Sequence, residues 1–407
     1  MRNPSRILYI SHTSPVPAKI GPSRRHYHIL DQLARFYDIR LLSLGMPSQE
    51  EMFRKAFGNR APSFHYAAVQ HGKNFRFLHK AWRTLTGRCD FLPVLEPDLR
   101  RLVAEVTSAQ RLDAIMLSIP LLFGLPLPRG VPIVGDTHNV ESDVLKRTSV
   151  LAETFLRRQY ARRQARYTFR EERRCSHGVD LLLANSDRDR QVFENEFGVR
   201  NIAVIPNGVD VTEFSPPKSA GDAGTILFTG LMSYYPNQQA MRWFLDEVFP
   251  LILKKVPEAK LIVAGARPPA WLLNERSDVV EVTDAVPDMR PYFERARVVI
   301  APLMIGGGTR VKILEAQAMA RPVVSTTLGA EGIDGRDGHT ILLADDPASF
   351  AMQVGRLLTE LDFAAEIGAN GRKHVACFYD WNRIGERLEA TLREKIGLVS
   401  REIAVAV

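Results

Sequence analysis

The sequence predicts an α/β protein made of two consecutive domains, each a parallel sheet with helices on both faces. Three observations carry that expectation. Short runs of Ile, Leu and Val alternate with helical runs through almost the whole chain, and continuous aliphatic strands are buried on both faces, as parallel sheets require. The pattern halts once, at Asn207–Gly224 (NGVDVTEFSPPKSAGDAG), whose Gly, Pro, Ser and Asp mark a linker, and then restarts. Finally, a chain of 407 residues accommodates two to three domains at ~150 residues each.

In the first half, the strands are expected at Arg6–Ser11, Asp38–Leu44, Phe64–Val69, Ala114–Ser118, Pro132–Asp136, Leu181–Asn185 and Ala203–Pro206. Helices are expected between them at Ser23–Phe36, Pro97–Ala109 and Asp143–Cys175. The second half offers Thr225–Gly230, Lys260–Ala264, Val279–Thr283, Val298–Pro302, Pro322–Ser325 and Thr340–Leu343, followed by a long helical stretch, Phe363–Lys395. The domains are thus expected at 1–206 and 225–375, joined by a linker at 207–224. Residues 376–407 are expected to form a helix that packs back on the first domain.

Hydrophobic residues at 45% and charged residues at 25% exclude a disordered, collagen-like or coiled-coil chain. A net charge of +8 favours anionic partners such as nucleotide phosphates, an anionic membrane surface or nucleic acid. Cys89, Cys175 and Cys377 have no paired spacing, which argues against a disulfide framework or structural zinc and fits a cytoplasmic setting. The longest apolar run, Ala114–Leu127, contains Pro120 and Pro126 and falls short of the ~20 residues a bilayer span needs. The N-terminal apolar stretch is too short for a signal peptide. The expectation is a soluble protein, at most peripheral on the inner face of the cell membrane.

The stretch APLMIGGGTRVKILEAQAMARPVVST, residues 301–326, is the richest in chemistry. A strand ends at Pro302, glycines follow at 306–308, and a helix is expected from about Arg310 to Met319. Gly307 and Gly308 let backbone approach a ligand, and the first helix amides offer an anion site. Thr309 is the expected N-cap. Arg310 and Lys312 put two cations in a first turn whose dipole disfavours them, so an anion such as a diphosphate is expected nearby. Glu315 leans back toward the helix start and could hold a ribose with two adjacent hydroxyls. Val311, Leu314 and Ala318 form the expected core stripe.

With its flanks, PDMRPYFERARVVIAPL before and LGAEGI after, this stretch resembles the C-terminal domain of the family 4 retaining glycosyltransferases. Further segments occur in that family's order: Gly21-Pro22-Ser23-Arg24-Arg25-His26 opening the first helix, GDTHNVES, ANSDRDRQVF, VIPNGVDVTEF and FTGLMSYYPN. The resemblance covers about residues 5–390 and implies a GT-B fold, two Rossmann-like domains facing across a cleft. It also implies transfer of a sugar, with retention, from a UDP- or GDP-sugar to a saccharide or lipid-linked saccharide, in surface polysaccharide assembly. No metal or cofactor is implied beyond the nucleotide-sugar co-substrate. On the nucleotide side it implies Gly230, Gly265, Val286, Gly307, Gly308, Thr309, Arg310, Lys312 and Glu315. On the acceptor side it implies Gly21, Arg24, His138 and Asn139. His138, Arg310 and Lys312 are the expected catalytic groups.

There are two departures from the family pattern. The first of its two glutamates falls on Gly307, while the second matches Glu315. The loop after the first strand of the second domain, Gly230–Asn237, lacks the usual Arg and Lys, a role left to Arg310 and Lys312. Asp187-x-Asp189 imitates a metal-binding D-x-D, but it stands at a helix start with Ser186 as cap. Two basic stretches invite a membrane reading, Lys73–Arg88 with Trp82 on an apolar stripe and Arg157–Arg174 with its eight arginines, and for the second a solvated helix face is the plainer account. Another GT-B sugar-nucleotide enzyme, such as an epimerase, and a nucleic-acid-binding protein are the competing classes. No reading helix or RNA-binding motif supports the latter.

Overall fold

The computed structural model describes residues 3–18, 21–45, 49–68, 97–109, 111–151 and 154–401. The chain divides into two compact units, residues 1–206 with 384–407, and residues 207–383. The first holds seven strands: β1 (Arg6–Ser11), β2 (Asp38–Gly45), β3 (Ser63–Ala68), β4 (Ala114–Leu117), β5 (Ile133–Asp136), β6 (Leu181–Ala184) and β7 (Ile202–Val204). They lie in the order β3-β2-β1-β4-β5-β6-β7, and every pairing is parallel. Ile7–Ile10 pair with Ile39–Leu42 on one side and Ala114–Leu117 on the other, and all four are buried. Burial on both faces is what an unbroken aliphatic run encodes.

The second unit holds β8 (Thr225–Thr229), β9 (Lys260–Ala264), β10 (Val280–Val282), β11 (Val298–Ala301), β12 (Val323–Ser325) and β13 (Leu342–Leu343). Their order is β10-β9-β8-β11-β12-β13, again wholly parallel. Each sheet therefore reverses its winding once, between β1 and β4 and between β8 and β11. Ligands of such sheets gather outside the carboxyl ends of the strands at that reversal.

Several boundaries differ from expectation, each for a local reason. The expected helix 143–175 is two helices, Glu141–Leu151 and Phe155–Gly178, and Thr154 caps the second by accepting from the Arg157 amide at 3.4 Å. The final stretch breaks at Tyr379 into Leu361–Phe378 and Trp381–Ile396, where Asp380 bridges to Val209. Residues 207–224 belong to the second unit. Val209 and Phe214 are buried there, and Arg372 donates to the carbonyls of Val211 (2.9 Å) and Phe214 (3.2 Å). Composition alone cannot distinguish such an anchored segment from a linker. The last helix joins the first unit from Ile384 onward. A side chain at Gly385 would meet Gln32 of the helix Gly21–Phe36 at 2.2 Å, so glycine sets that close packing.

Candidate functional site

In the second unit the loops following β8, β9, β10 and β11 converge on one sheet edge. Gly230 and Gly265 adopt φ of +155° and +153°. A Cβ on Gly265 would lie 1.7 Å from the Gly230 carbonyl oxygen, so no other residue fits. Backbone bonds tie these loops together, Gly230 to Ala264 at 3.1 Å and Met232 to Ala266 at 2.8 Å. Val286, partly buried, sits in the loop beyond β10, where Asp284 accepts from the Arg267 and Ala285 amides.

The glycine turn follows β11. Gly306 and Gly308 have φ of +144° and +66°. Arg310, not Thr309, is the N-cap of the helix Val311–Ala318, and its own side chain does not cap the helix amides. Thr309 is instead buried, its carbonyl accepting from Asn207 at 3.4 Å. The Arg310 guanidinium folds back onto the turn, donating to the carbonyls of Gly307, Gly308 and Leu328. A Cβ on Gly306 would strike it at 2.7 Å. Arg310 thus builds the turn with donors that sequence reasoning assigned to an anion.

Lys312 behaves differently. Its Nζ lies 3.1 Å from Asn237 Oδ1 and 3.7 Å from the centre of the Phe228 ring, and a side chain on Gly230 would crowd it. Among the described residues it makes no ion pair. Burial pushes its pKa down to about 7, with Arg310 adding to the fall and Glu315 opposing it. Glu315 is buried one turn further along. The expected stripe was too narrow. Ile313 through Ala318 are all buried, because the helix is packed by the helix Leu361–Phe378 as well as by the sheet, while Val311 is only partly so.

The edge of the first unit is furnished with imidazoles. His12 follows β1, His26 stands in the helix Gly21–Phe36 and His138 follows β5, their ring centres 5.0 to 6.0 Å apart. The Nε2 atoms of His26 and His138 are 3.0 Å apart, so one ring donates and the other accepts. Ser11 Oγ lies 3.0 Å from His26 Nδ1, and Ser118 Oγ lies 2.9 Å from His12 Nδ1. The Ser118 hydroxyl also takes the His12 amide at 3.1 Å, joining the ends of β1 and β4 across the winding reversal. Burial lowers all three imidazole pKa values, that of His12 to about 4, and the cluster is neutral at pH 7.

Beneath them lies a closed ion pair. Arg25 grips Asp136 through Nε (2.9 Å) and Nη2 (2.6 Å), both side chains having no solvent exposure, and also donates to the Ile205 carbonyl at 2.8 Å. The helix opening at Gly21 therefore points Arg25 inward, while Arg24 is partly buried in the same first turn. Beside the imidazoles, a small pocket is lined by Thr137, His138, Asn139, Glu141, Glu172 and apolar neighbours. Glu141 opens the helix Glu141–Leu151 without capping it. The Glu172 carboxylate caps it, accepting from the amides of Glu141 (2.7 Å) and Ser142 (3.0 Å). Burial lifts Glu141 to about 8, Glu172 adding to the rise, and lifts Glu172 to about 7. Asn185 donates to the His138 carbonyl at 2.8 Å and fixes that loop. Ser186 caps the helix Asp187–Asn195 through the Asp189 amide at 3.1 Å, and Asp187 pairs with Arg190, as a helix start requires.

Sequence reasoning missed His12, His26, Ser118 and Glu172. His26 carried a signal, since it lies inside the glycine-turn motif. Glu172 carried none, because it reaches the site from a helix read only for its arginines.

Two family models match the chain: residues 21–213 fit "Glycosyltransferase Family 4" and residues 223–360 fit "Glycosyl transferases group 1". Together they span most of its length and both site edges. The chain belongs to the family 4, group 1 glycosyltransferases. A GDP-mannose-dependent phosphatidylinositol monomannoside mannosyltransferase of Mycobacterium tuberculosis is 25% identical over 248 residues, 54% of this chain and 63% of that one. An uncharacterized 44.6 kDa protein in the cps region of Klebsiella pneumoniae is 24% identical over 169 residues, 39% and 43% of the two chains. The chain spans about half the length of the curated relatives it matches. The crystal structure of Anabaena HepE in complex with UDP-glucose superposes with a TM-score of 0.70 at 14% identity, covering 96% of this chain and 99% of that one. That likeness shows a fold of the GT-B type, with two Rossmann-like units. Among the described residues no helix is long and apolar enough to cross a membrane, and the Lys73–Arg88 segment with Trp82 lies outside the described residues.

Proposed function

We infer that this glycosyltransferase moves a sugar from a UDP- or GDP-sugar held by the second unit to a saccharide or lipid-linked saccharide held by the first, with retention. One observation carries the reading: Lys312 presents a buried amino group with no ion-pair partner among the described residues, beside a glycine turn and the start of the helix Val311–Ala318. Such a site lacks an anion, and a diphosphate supplies one. Glu315 would hold the ribose, with Gly230, Gly265, Val286, Gly307, Gly308 and Thr309 shaping the nucleotide's bed. Arg310 would hold the turn in its phosphate-binding form.

In the reaction, the acceptor oxygen bonds to the anomeric carbon as that carbon's bond to the diphosphate breaks. The acceptor proton passes to the departing phosphate oxygen, whose charge Lys312 and the helix amides stabilise. His138, neutral and oriented by His26, would hydrogen-bond a sugar hydroxyl, and Asn139 would lie beside it. The reading needs no metal or cofactor. The same reading places the reaction in surface polysaccharide assembly, on the cytoplasmic face of the membrane. The test is incubation with labelled UDP- and GDP-sugars and a lipid-linked saccharide, with the product's anomeric configuration read by NMR. Acceptor-dependent release of one nucleotide supports the reading; an epimerised donor without transfer refutes it.

A further inference from the structure

The helix Phe155–Gly178 has two unlike sides. Ala161, Gln164, Thr168, Glu172, Cys175 and Ser176 are its buried residues, and Glu172 reaches the pocket from that side. At about 100° per residue, Arg162, Arg163, Arg166, Arg170, Arg173 and Arg174 share an outward arc of about 120°, and all six are exposed. No acidic residue of the helix falls within that arc. Glu171, about 60° outside it, pairs with Arg174 at 2.9 Å.

The amino-terminal end of this face is apolar. Phe155 and Leu156 are 70% and 79% exposed, and Val150, just before them in the chain, is 67% exposed. Exposed bulky apolar side chains are among the least favourable residues to leave in water, and here they adjoin a cationic face ~18 Å long.

We propose that the outward face of the helix Phe155–Gly178 is a docking surface for an anionic lipid bilayer, with its arginines on lipid phosphates and Phe155 and Leu156 entering the acyl boundary. The pairing of charge with an apolar tip decides the partner. A nucleic acid would be served by the arginines alone and gives Phe155 and Leu156 nothing to enter. A bilayer takes both, since guanidinium groups bind phosphate and apolar side chains insert below it. Because the opposite side of the same helix borders the pocket through Glu172, docking would hold that pocket at a fixed depth relative to lipid. This surface is independent of the donor reading and fails or stands separately from it.

The test is flotation of the full chain with vesicles of phosphatidylglycerol and phosphatidylcholine against phosphatidylcholine alone, at low and high salt. Wild type is expected to float with the anionic vesicles only, with residual binding at high salt. Replacing Arg162, Arg166 and Arg170 by Glu is expected to weaken binding at least tenfold, and replacing all three by Lys to keep most of it. Phe155→Ser with Leu156→Ser is expected to remove the high-salt remainder. Binding of UDP or GDP by every variant checks that the fold is intact. Wild type indifferent to anionic vesicles, or a triple Glu variant that floats as well as wild type, overturns the proposal. Tight binding to duplex DNA in place of vesicles overturns it too and marks the face as a nucleic-acid surface.

Discussion

The two sheet edges are built alike and furnished oppositely. Each lies at the point where a parallel sheet reverses its winding, and each is assembled from loops that follow neighbouring strands. At the edge of the first unit, Arg25 is locked to Asp136, three imidazoles stay neutral, and Glu141 keeps its proton near pH 7. In the second, the turn is held by an arginine bound to carbonyls, while the buried Lys312 amine makes no ion pair among the described residues. On the proposed reading, one edge serves a sugar hydroxyl and the other a diphosphate. The shared fold supplies the position and the side chains supply the chemistry.

The comparison breaks most visibly at Arg25. Arg25→Met leaves the Asp136 carboxylate buried and unpaired, and should cost about 3–5 kcal/mol of stability, measured by urea unfolding. Adding Asp136→Leu should restore much of it. If Arg25→Met unfolds like wild type, the first edge is not held by that pair.

Next come the groups that distinguish the second edge. Glu315→Ala and Lys312→Met should each lower kcat/KM at least tenfold, the equivalent of ~1.4 kcal/mol in the transition state. Circular dichroism checks that the fold survives. Arg310→Ala should lose as much, through disorder of the turn. Transferase activity intact in all three would separate the turn from the reaction.

A pH dependence sharpens the contrast. Lys312 has its pKa depressed to about 7, so it is mostly neutral at pH 8 before ligand binds. A bound diphosphate favours the ammonium and raises that pKa, so binding takes up a proton above pH 7 and none well below it. Nucleotide affinity should therefore be roughly tenfold weaker at pH 8 than at pH 6, and calorimetry in buffers of different ionisation enthalpy should show the uptake. Lys312→Met should abolish both effects. The smallest change is expected at His26: His26→Phe removes one bond to His138 and should raise the acceptor KM about threefold, leaving nucleotide affinity alone. A loss of nucleotide affinity in that variant would contradict the division of labour.

Much of this was legible beforehand, and unevenly so. The aliphatic runs located nearly every strand, because double burial leaves a strong mark. The glycine turn and the helix after β11 were legible because φ above zero and tight backbone approach demand glycine. What stayed hidden depended on contacts between distant positions. The role of Arg310 is set by the carbonyls of Gly307, Gly308 and Leu328, which its own neighbourhood in sequence does not announce. Glu172 caps a helix from another element, whereas the chain's return to the first unit was expected from 376 onward and occurs at Ile384, within the helix Trp381–Ile396.

The most direct measurement is a crystal structure of the protein with UDP or GDP bound. The account predicts the diphosphate beside Lys312 Nζ and the first amides of the helix Val311–Ala318, with the ribose hydroxyls on Glu315. A nucleotide seated among His12, His26 and His138, or one lying away from Lys312 altogether, would contradict it.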